Sequence, residues 1–118
     1  MRRRICIVDH DLAGRGYLRE CLEKEGYSVV TLEDGSQVRP YLQGGTFDAY
    51  ILDIETPGVK EKEFLLDIKK TGQPRILLTV SKRGDAFLKE AMEMGVYGFL
   101  YKPFNPNEIC TMVNYLLR

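Results

Sequence analysis

Ala49-Tyr50-Ile51-Leu52 is an unbroken apolar run that stops on Asp53, and Thr56-Pro57-Gly58 turns the chain shortly afterwards. A short run without polar alternation suits a strand buried on both faces, as strands are in parallel sheets covered by helices. Proline fixes φ and glycine accepts positive φ, so the turn ends the element firmly. A rigid strand thereby carries a carboxylate to the carboxyl edge of a sheet, the edge where open α/β sheets place their ligand sites.

The rest of the chain repeats this unit. Ile5-Cys6-Ile7-Val8, between Arg4 and Asp9, reads as another buried strand. Leu12 to Glu25 places Tyr17, Leu18, Cys21 and Leu22 at helical spacing and stops at Gly26. Gly14 and Gly16 each cost about 1 kcal/mol against alanine inside a helix, which marks a loose helix start or, as the second reading, a close approach of something to the backbone. Ser28 to Leu32 is strand-like by β-branching, and Ser36 to Leu42 predicts a short, weak helix closed by Gly44-Gly45. Beyond Asp53, a helix over Lys60 to Lys70 carries the stripe Phe64, Leu65 and Ile68. Arg75 to Val80 is a buried strand, Asp85 to Met94 a helix ending at Gly95, and Gly98 to Tyr101 a short strand closed by Lys102-Pro103. Asn105-Pro106-Asn107-Glu108 opens a last helix with a capping side chain, a first-turn proline and an acid, and Ile109, Val113 and Leu116 are its buried positions. Strand and helix alternate five times, which predicts one α/β domain over residues 1–118 with a parallel sheet between two helical layers.

Composition narrows the function. With 118 residues and 44% hydrophobic content the chain has enough material for one core. Seventeen basic residues balance 17 acidic ones, so no overall field draws it to nucleic acid or to an anionic membrane, and no stretch approaches membrane-spanning length. Arg2-Arg3-Arg4 is followed by too short an apolar run for a signal peptide. Cys6, Cys21 and Cys110 show no CxxC or zinc spacing, which predicts three reduced, packed thiols in a cytoplasmic protein.

In a parallel sheet all carboxyl ends share one edge, so the residues closing the strands meet there: Asp9, Asp53, Thr79 and Lys102. Singly, each is ordinary solvated surface. Together they make a site for a hard cation beside an anionic group. The sequences IVDHD at 7–11, ILDIETPG at 51–58, LLTV at 77–80 and GFLYKPF at 98–104 resemble, in order and spacing, those of response-regulator receiver domains over essentially the whole chain. The resemblance implies a flavodoxin-like (βα)5 sandwich with strand order 2-1-3-4-5. It implies Asp53 as phosphoacceptor, with Asp9, Asp53 and the backbone carbonyl of Glu55 around a magnesium ion. Thr79 and Lys102 would contact phosphoryl oxygens, Phe99 takes the aromatic switch position, and Val80 and Pro57 flank the access to the pocket. The Lys102-Pro103 bond is expected cis. The implied partners are a sensor histidine kinase or histidine phosphotransferase, an output domain or effector protein, and a second copy through the fourth helix, fifth strand and fifth helix. Phe87, Met92, Met94, Tyr101, Met112 and Tyr115 supply that face with apolar side chains. Beyond self-catalysed phosphorylation and dephosphorylation no enzyme activity is implied.

The sequence departs from the pattern in three places. His10 replaces a second, metal-binding acid, and imidazole suits zinc, copper or nickel better than magnesium. Two orientations are open: the ring sits between Asp9 and Asp53 as a built-in positive group, or it turns outward. Val80 replaces a small residue and is expected to narrow the approach to Asp53, and Val59-Lys60-Glu61 alters the following loop, with the Glu55 carboxylate a compensating ligand. These departures keep a second reading open, a degenerate pseudo-receiver acting as a phosphorylation-independent interaction module. A third, weaker one is a phosphatase, because Asp53-Ile54-Glu55-Thr56 loosely resembles the DxDxT motif of haloacid-dehalogenase-type enzymes, although there the motif usually closes the first strand.

Overall fold

The computed structural model describes residues 2–44 and 47–117. Five strands, β1 (Arg4–Val8), β2 (Ser28–Leu32), β3 (Ala49–Asp53), β4 (Arg75–Val80) and β5 (Gly98–Tyr101), form one sheet in the order β2-β1-β3-β4-β5. Every pairing is parallel, as the alternation of strands and helices predicts. The helices are α1 (Leu12–Lys24), α2 (Arg39–Leu42), α3 (Lys62–Lys69), α4 (Ala86–Glu93) and α5 (Pro106–Leu116). None of them is long and apolar enough to cross a membrane.

Side-chain alternation along the strands builds two apolar layers. Ile5, Ile7, Ile51 and Leu77 pack with Leu18 and Leu22 of α1 and with Ile109 and Val113 of α5. Cys6, Val8, Leu52, Leu78 and Val80 pack on the other face with Leu65 and Ile68 of α3 and with Leu88 and Ala91 of α4. β3 is central, and all five of its residues are buried. The apolar run Ala49-Tyr50-Ile51-Leu52 is thus the axis of both layers.

The helix starts are better fastened than their composition predicts. The Asp11 side chain accepts the Gly14 N–H at 3.2 Å, and a Cβ on Gly14 would lie 2.8 Å from that same carboxylate oxygen. Gly14 therefore makes room for the cap: the favoured loose start of α1 gives way to a capped one, and the second reading, a close approach to the backbone, holds at Gly14. At α5, Asn105 accepts the Asn107 N–H at 2.9 Å and Glu108 accepts the Asn105 N–H at 3.1 Å, completing the expected capping box. The helix expected over Ser36 to Leu42 is split into a 3₁₀ turn, Gly35–Val38, and the single turn of α2. Of its expected stop, Gly45 lies outside the described residues. Lys102-Pro103 is cis.

One feature of the cysteines was not expected. α1 and α5 lie side by side, and this sets the Cys21 and Cys110 sulfurs, 89 residues apart in sequence, against each other. Spacing along the chain carries no trace of a contact made by two helices on one face of a sheet. Cys6 does follow the packing expectation: it is fully buried, and burial pushes its thiol up to about 12.

Two loops at the carboxyl edge touch backbone to backbone. The Gly35 N–H donates to the Pro57 carbonyl at 2.8 Å, and a Cβ on Gly35 would lie 2.9 Å from the Gly58 carbonyl carbon. That neighbour is main chain and has no rotamer to yield. Gly35→Ala is therefore expected to destabilise the fold by about 1–3 kcal/mol through overpacking. Gly16, inside α1 with open space around it, should behave oppositely, Gly16→Ala adding about 0.4–1 kcal/mol. Urea unfolding of the two variants checks the contrast in sign.

Candidate functional site

Strand parity decides which side chains meet. Asp9 follows β1, Asp53 ends β3, Thr79 lies in β4 and Lys102 follows β5, and each has the parity of the residues that face α1 and α5. The sheet register sets Asp53 directly beside Thr79. Both aspartates are withdrawn from solvent, Asp9 being 3% and Asp53 1% exposed. The four residues expected to converge do so.

The contacts divide the carboxylates into two edges. On one edge the Lys102 ammonium lies 2.8 Å from Asp9 Oδ2 and 3.2 Å from Asp53 Oδ1, and Thr79 donates to Asp53 Oδ1 at 3.3 Å. Burial alone lowers the pKa of Lys102, but the hydrogen bond it donates to Asp9 and the charges of Asp53 and Asp9 outweigh it, so the net shift is upward and the ammonium is held charged. On the other edge His10 Nδ1 lies 3.2 Å from Asp53 Oδ2 and 3.8 Å from Asp9 Oδ1. Of the two orientations left open by the sequence, the ring takes the inward one.

Thr56 holds this second edge together, and sequence reasoning missed it as a site residue. Its N–H donates to the Asp53 carbonyl at 3.0 Å, closing a tight turn that brings its hydroxyl back to donate to Asp53 Oδ2 at 2.8 Å. The same hydroxyl oxygen accepts the His10 N–H at 2.9 Å and lies 3.0 Å from His10 Nδ1. Thr56 has one proton, and Asp53 receives it. Nδ1 therefore faces two acceptors, Thr56 Oγ1 and Asp53 Oδ2, and hydrogen-bond bookkeeping assigns it the ring proton. The available signal was the Asp-x-x-Thr spacing, which the sequence supports as part of a turn and as a loose phosphatase-like motif, neither of which sets Thr56 against His10.

The remaining expected residues fall elsewhere. Val80 is fully buried in the α3/α4 layer, because one step along β4 from Thr79 sends a side chain to the opposite face; it does not line an approach from solvent. Pro57 lines grooves beside the β2 and β3 loops, away from the groove that Asp9 and Lys102 border. Among the described residues, the Glu55 carboxylate is not part of the Asp9, His10 and Asp53 cluster, and its buried Oε1 has no hydrogen-bond partner. Phe99 packs on the α3/α4 layer, edge-on to Tyr101 with centroids 5.5 Å apart. In the altered loop Val59 is fully buried, and Lys60 reaches Asp85, the N-cap of α4, at 2.6 Å.

Asp9, His10 and Asp53 each offer one ligand atom, all within 4.8 Å of one another, a spacing that suits three donors around a single divalent ion. Two of the donors are oxygens of the kind magnesium takes, and the third is a nitrogen. The hydroxyl that organises this cluster can be removed without changing its volume greatly. Thr56→Val should cost about 1.5–3 kcal/mol, the range for a hydrogen bond to a charged group, while Thr56→Ser should retain most of that stability. Chemical denaturation of the two variants against the parent measures the difference.

Comparison with known proteins agrees with this geometry. Residues 5–114 match the family described as response regulator receiver domain. Protein PetR of Rhodobacter capsulatus is 34% identical over 97% of this chain and 48% of its own length. Transcriptional regulatory protein FixJ of Bradyrhizobium diazoefficiens is 30% identical over 97% of this chain and 56% of its own. The chain thus spans about half the length of these curated relatives. Among solved structures, a receiver domain protein (CheY-like) from Methanospirillum hungatei superposes with a TM-score of 0.88 at 22% identity, covering 98% of this chain and 93% of that one, which speaks for the fold. A strand order, a strand-end cluster and a family match over nearly the whole sequence agree, and the chain belongs to the response regulator receiver domains.

Proposed function

We propose that Asp53 is a phosphoacceptor and that the chain works as the receiver of a two-component or phosphorelay system in the cytoplasm. The observation that carries this reading is the Lys102 ammonium bridging Asp9 Oδ2 and Asp53 Oδ1, with the Thr79 hydroxyl beside it. A carboxylate attacks a phosphorylated donor poorly because like charges repel, so a fixed cation at the nucleophile removes the main obstacle. A carboxylate oxygen of Asp53 forms the new P–O bond as the bond from phosphorus to a donor histidine nitrogen breaks, and the donor imidazole leaves with the electron pair. Lys102 and Thr79 then bond to oxygens of the phosphoryl group. When bound at Asp9, Asp53 and the Glu55 backbone carbonyl, Mg2+ would supply further charge neutralisation.

The donor is a sensor histidine kinase or a histidine phosphotransferase. It has a natural approach over the groove of about 650 Å³ bordered by Asp9, Tyr17, Lys102 and Phe104, next to the exposed Leu12. The signal passes to an output domain or effector, or to a second copy, through α4, β5 and α5. Met92, Tyr97 and Tyr115 are exposed there, whereas Phe87, Met94, Tyr101 and Met112 are engaged with the core. New bonds made by Thr79 and Lys102 only in the phosphorylated state supply the differential energy such a switch requires.

Treatment with acetyl phosphate in saturating Mg2+ or Mn2+, followed by intact mass, should show one added phosphoryl group, absent in Asp53→Asn. No addition with either ion would favour the constitutive interaction module, and turnover of generic phosphate esters would favour the phosphatase.

A further inference from the structure

The two aspartates present two edges, one closed by an ammonium and the other held by neutral donors and faced by an imidazole. Lys102 holds the edge made by Asp9 Oδ2 and Asp53 Oδ1. The other, Asp9 Oδ1 with Asp53 Oδ2, faces His10 Nδ1 at 3.8 and 3.2 Å. An ion that reaches both aspartates there must also meet the imidazole nitrogen.

His10 is held for that purpose from two sides. Its N–H is bonded to the Thr56 hydroxyl at 2.9 Å, which fixes the backbone, and Nδ1 lies 3.0 Å from the same oxygen, which fixes the ring. The side chain is about half exposed, at 53%, while the Asp9 and Asp53 side chains are almost wholly buried. The ring can pass its proton from Nδ1 to Nε2 without any change in net charge. Nδ1 then offers a lone pair 3.2 Å from Asp53 Oδ2 and 3.8 Å from Asp9 Oδ1.

Magnesium gains little from this donor. It takes oxygen ligands in near-octahedral geometry and gives up water reluctantly. Zinc-type ions bind imidazole strongly and accept the lower coordination number that two carboxylates and one histidine provide. Resting on the receiver reading of the same site, we infer that Asp9, His10 and Asp53 form a site selective for an imidazole-accepting divalent ion of the zinc type over Mg2+. The ion that readies Asp53 is then set by residue 10, a position at which the family's charge count has been exchanged for ligand softness.

The test needs no phosphodonor. The purified chain is titrated with Zn2+ alone and with Mg2+ alone by calorimetry, and the ring of His10, the single histidine, is followed by NMR. Zn2+ should bind one per chain at least about tenfold more tightly than Mg2+ and should move the His10 ring resonances. His10→Gln should weaken Zn2+ by about 10- to 100-fold or more, since loss of a mere outer-shell partner already costs that much. His10→Asp, folded by circular dichroism, should reverse the order of the two ions. Mg2+ binding as tightly as Zn2+ in the parent, or Zn2+ binding that His10→Gln leaves unchanged, would overturn the inference. Zn2+ bound through His10 in a chain that never accepts a phosphoryl group would sink the phosphoacceptor proposal and leave this one standing. Phosphorylation of Asp53 with no response of His10 to Zn2+ would do the reverse.

Discussion

Two carboxylates buried side by side are the constraint around which this domain is built. Like charges about 4 Å apart interact by roughly 4 kcal/mol at an effective dielectric of 20, so Asp9 and Asp53 cannot share the edge of the sheet unaided. Lys102 resolves the conflict by touching both, and it reaches them only because β5 lies beyond β4 in the sheet and ends at the same edge. Even so, a buried ion cluster is generally no more stabilising than apolar side chains of equal volume. Its retention at the end of the most buried strand is therefore explained by chemistry, and the apolar layers carry the stability.

The fold was legible because its signals are local and mutually consistent. Continuous apolar runs gave the strands, glycines and the Asn105 cap gave the helix limits, and five alternations left a parallel sheet as the natural answer. The strand-end residues were legible for the same reason, since a period of two fixes which face each occupies. Where the sequence reading failed, the deciding contact was distant. Cys21 and Cys110 meet only because two helices flank each other, and α2 breaks into a 3₁₀ turn where Gly35 is pressed against Gly58. Val80 was misjudged by reasoning from position relative to Thr79 without carrying the strand alternation one residue further.

His10 shows most sharply where reading stops. The string Asp9-His10-Asp11 identifies a histidine at the edge, yet nothing within it says which way the ring turns. The answer comes from Thr56, 46 residues away, whose hydroxyl binds the His10 backbone and lies against its ring. Asp9 is tied down locally at the same time, its Oδ1 accepting the Asp11 N–H at 2.9 Å and its carbonyl accepting from Arg15 at 3.1 Å. One aspartate is thus fixed by its own loop and the other by the turn that follows β3.

That turn also ties the site to the loops and helix beside it. Thr56 grips Asp53 Oδ2; Gly58, two residues on, is pressed against Gly35; and Lys60, two further, holds Asp85 at the start of α4. Asp85 caps that helix by accepting the Phe87 N–H at 2.9 Å. An exposed ion pair such as Lys60–Asp85 is worth little by itself, typically 0–1 kcal/mol. Its location gives it leverage, because it joins the first free residues beyond the anchored turn to the first turn of a helix on the face where partners would dock. Any event that draws Thr56 off Asp53 Oδ2 must work against a segment held by the Gly35–Pro57 backbone bond, by the buried Val59 side chain and by the Lys60–Asp85 pair, and of these three the ion pair is the weakest.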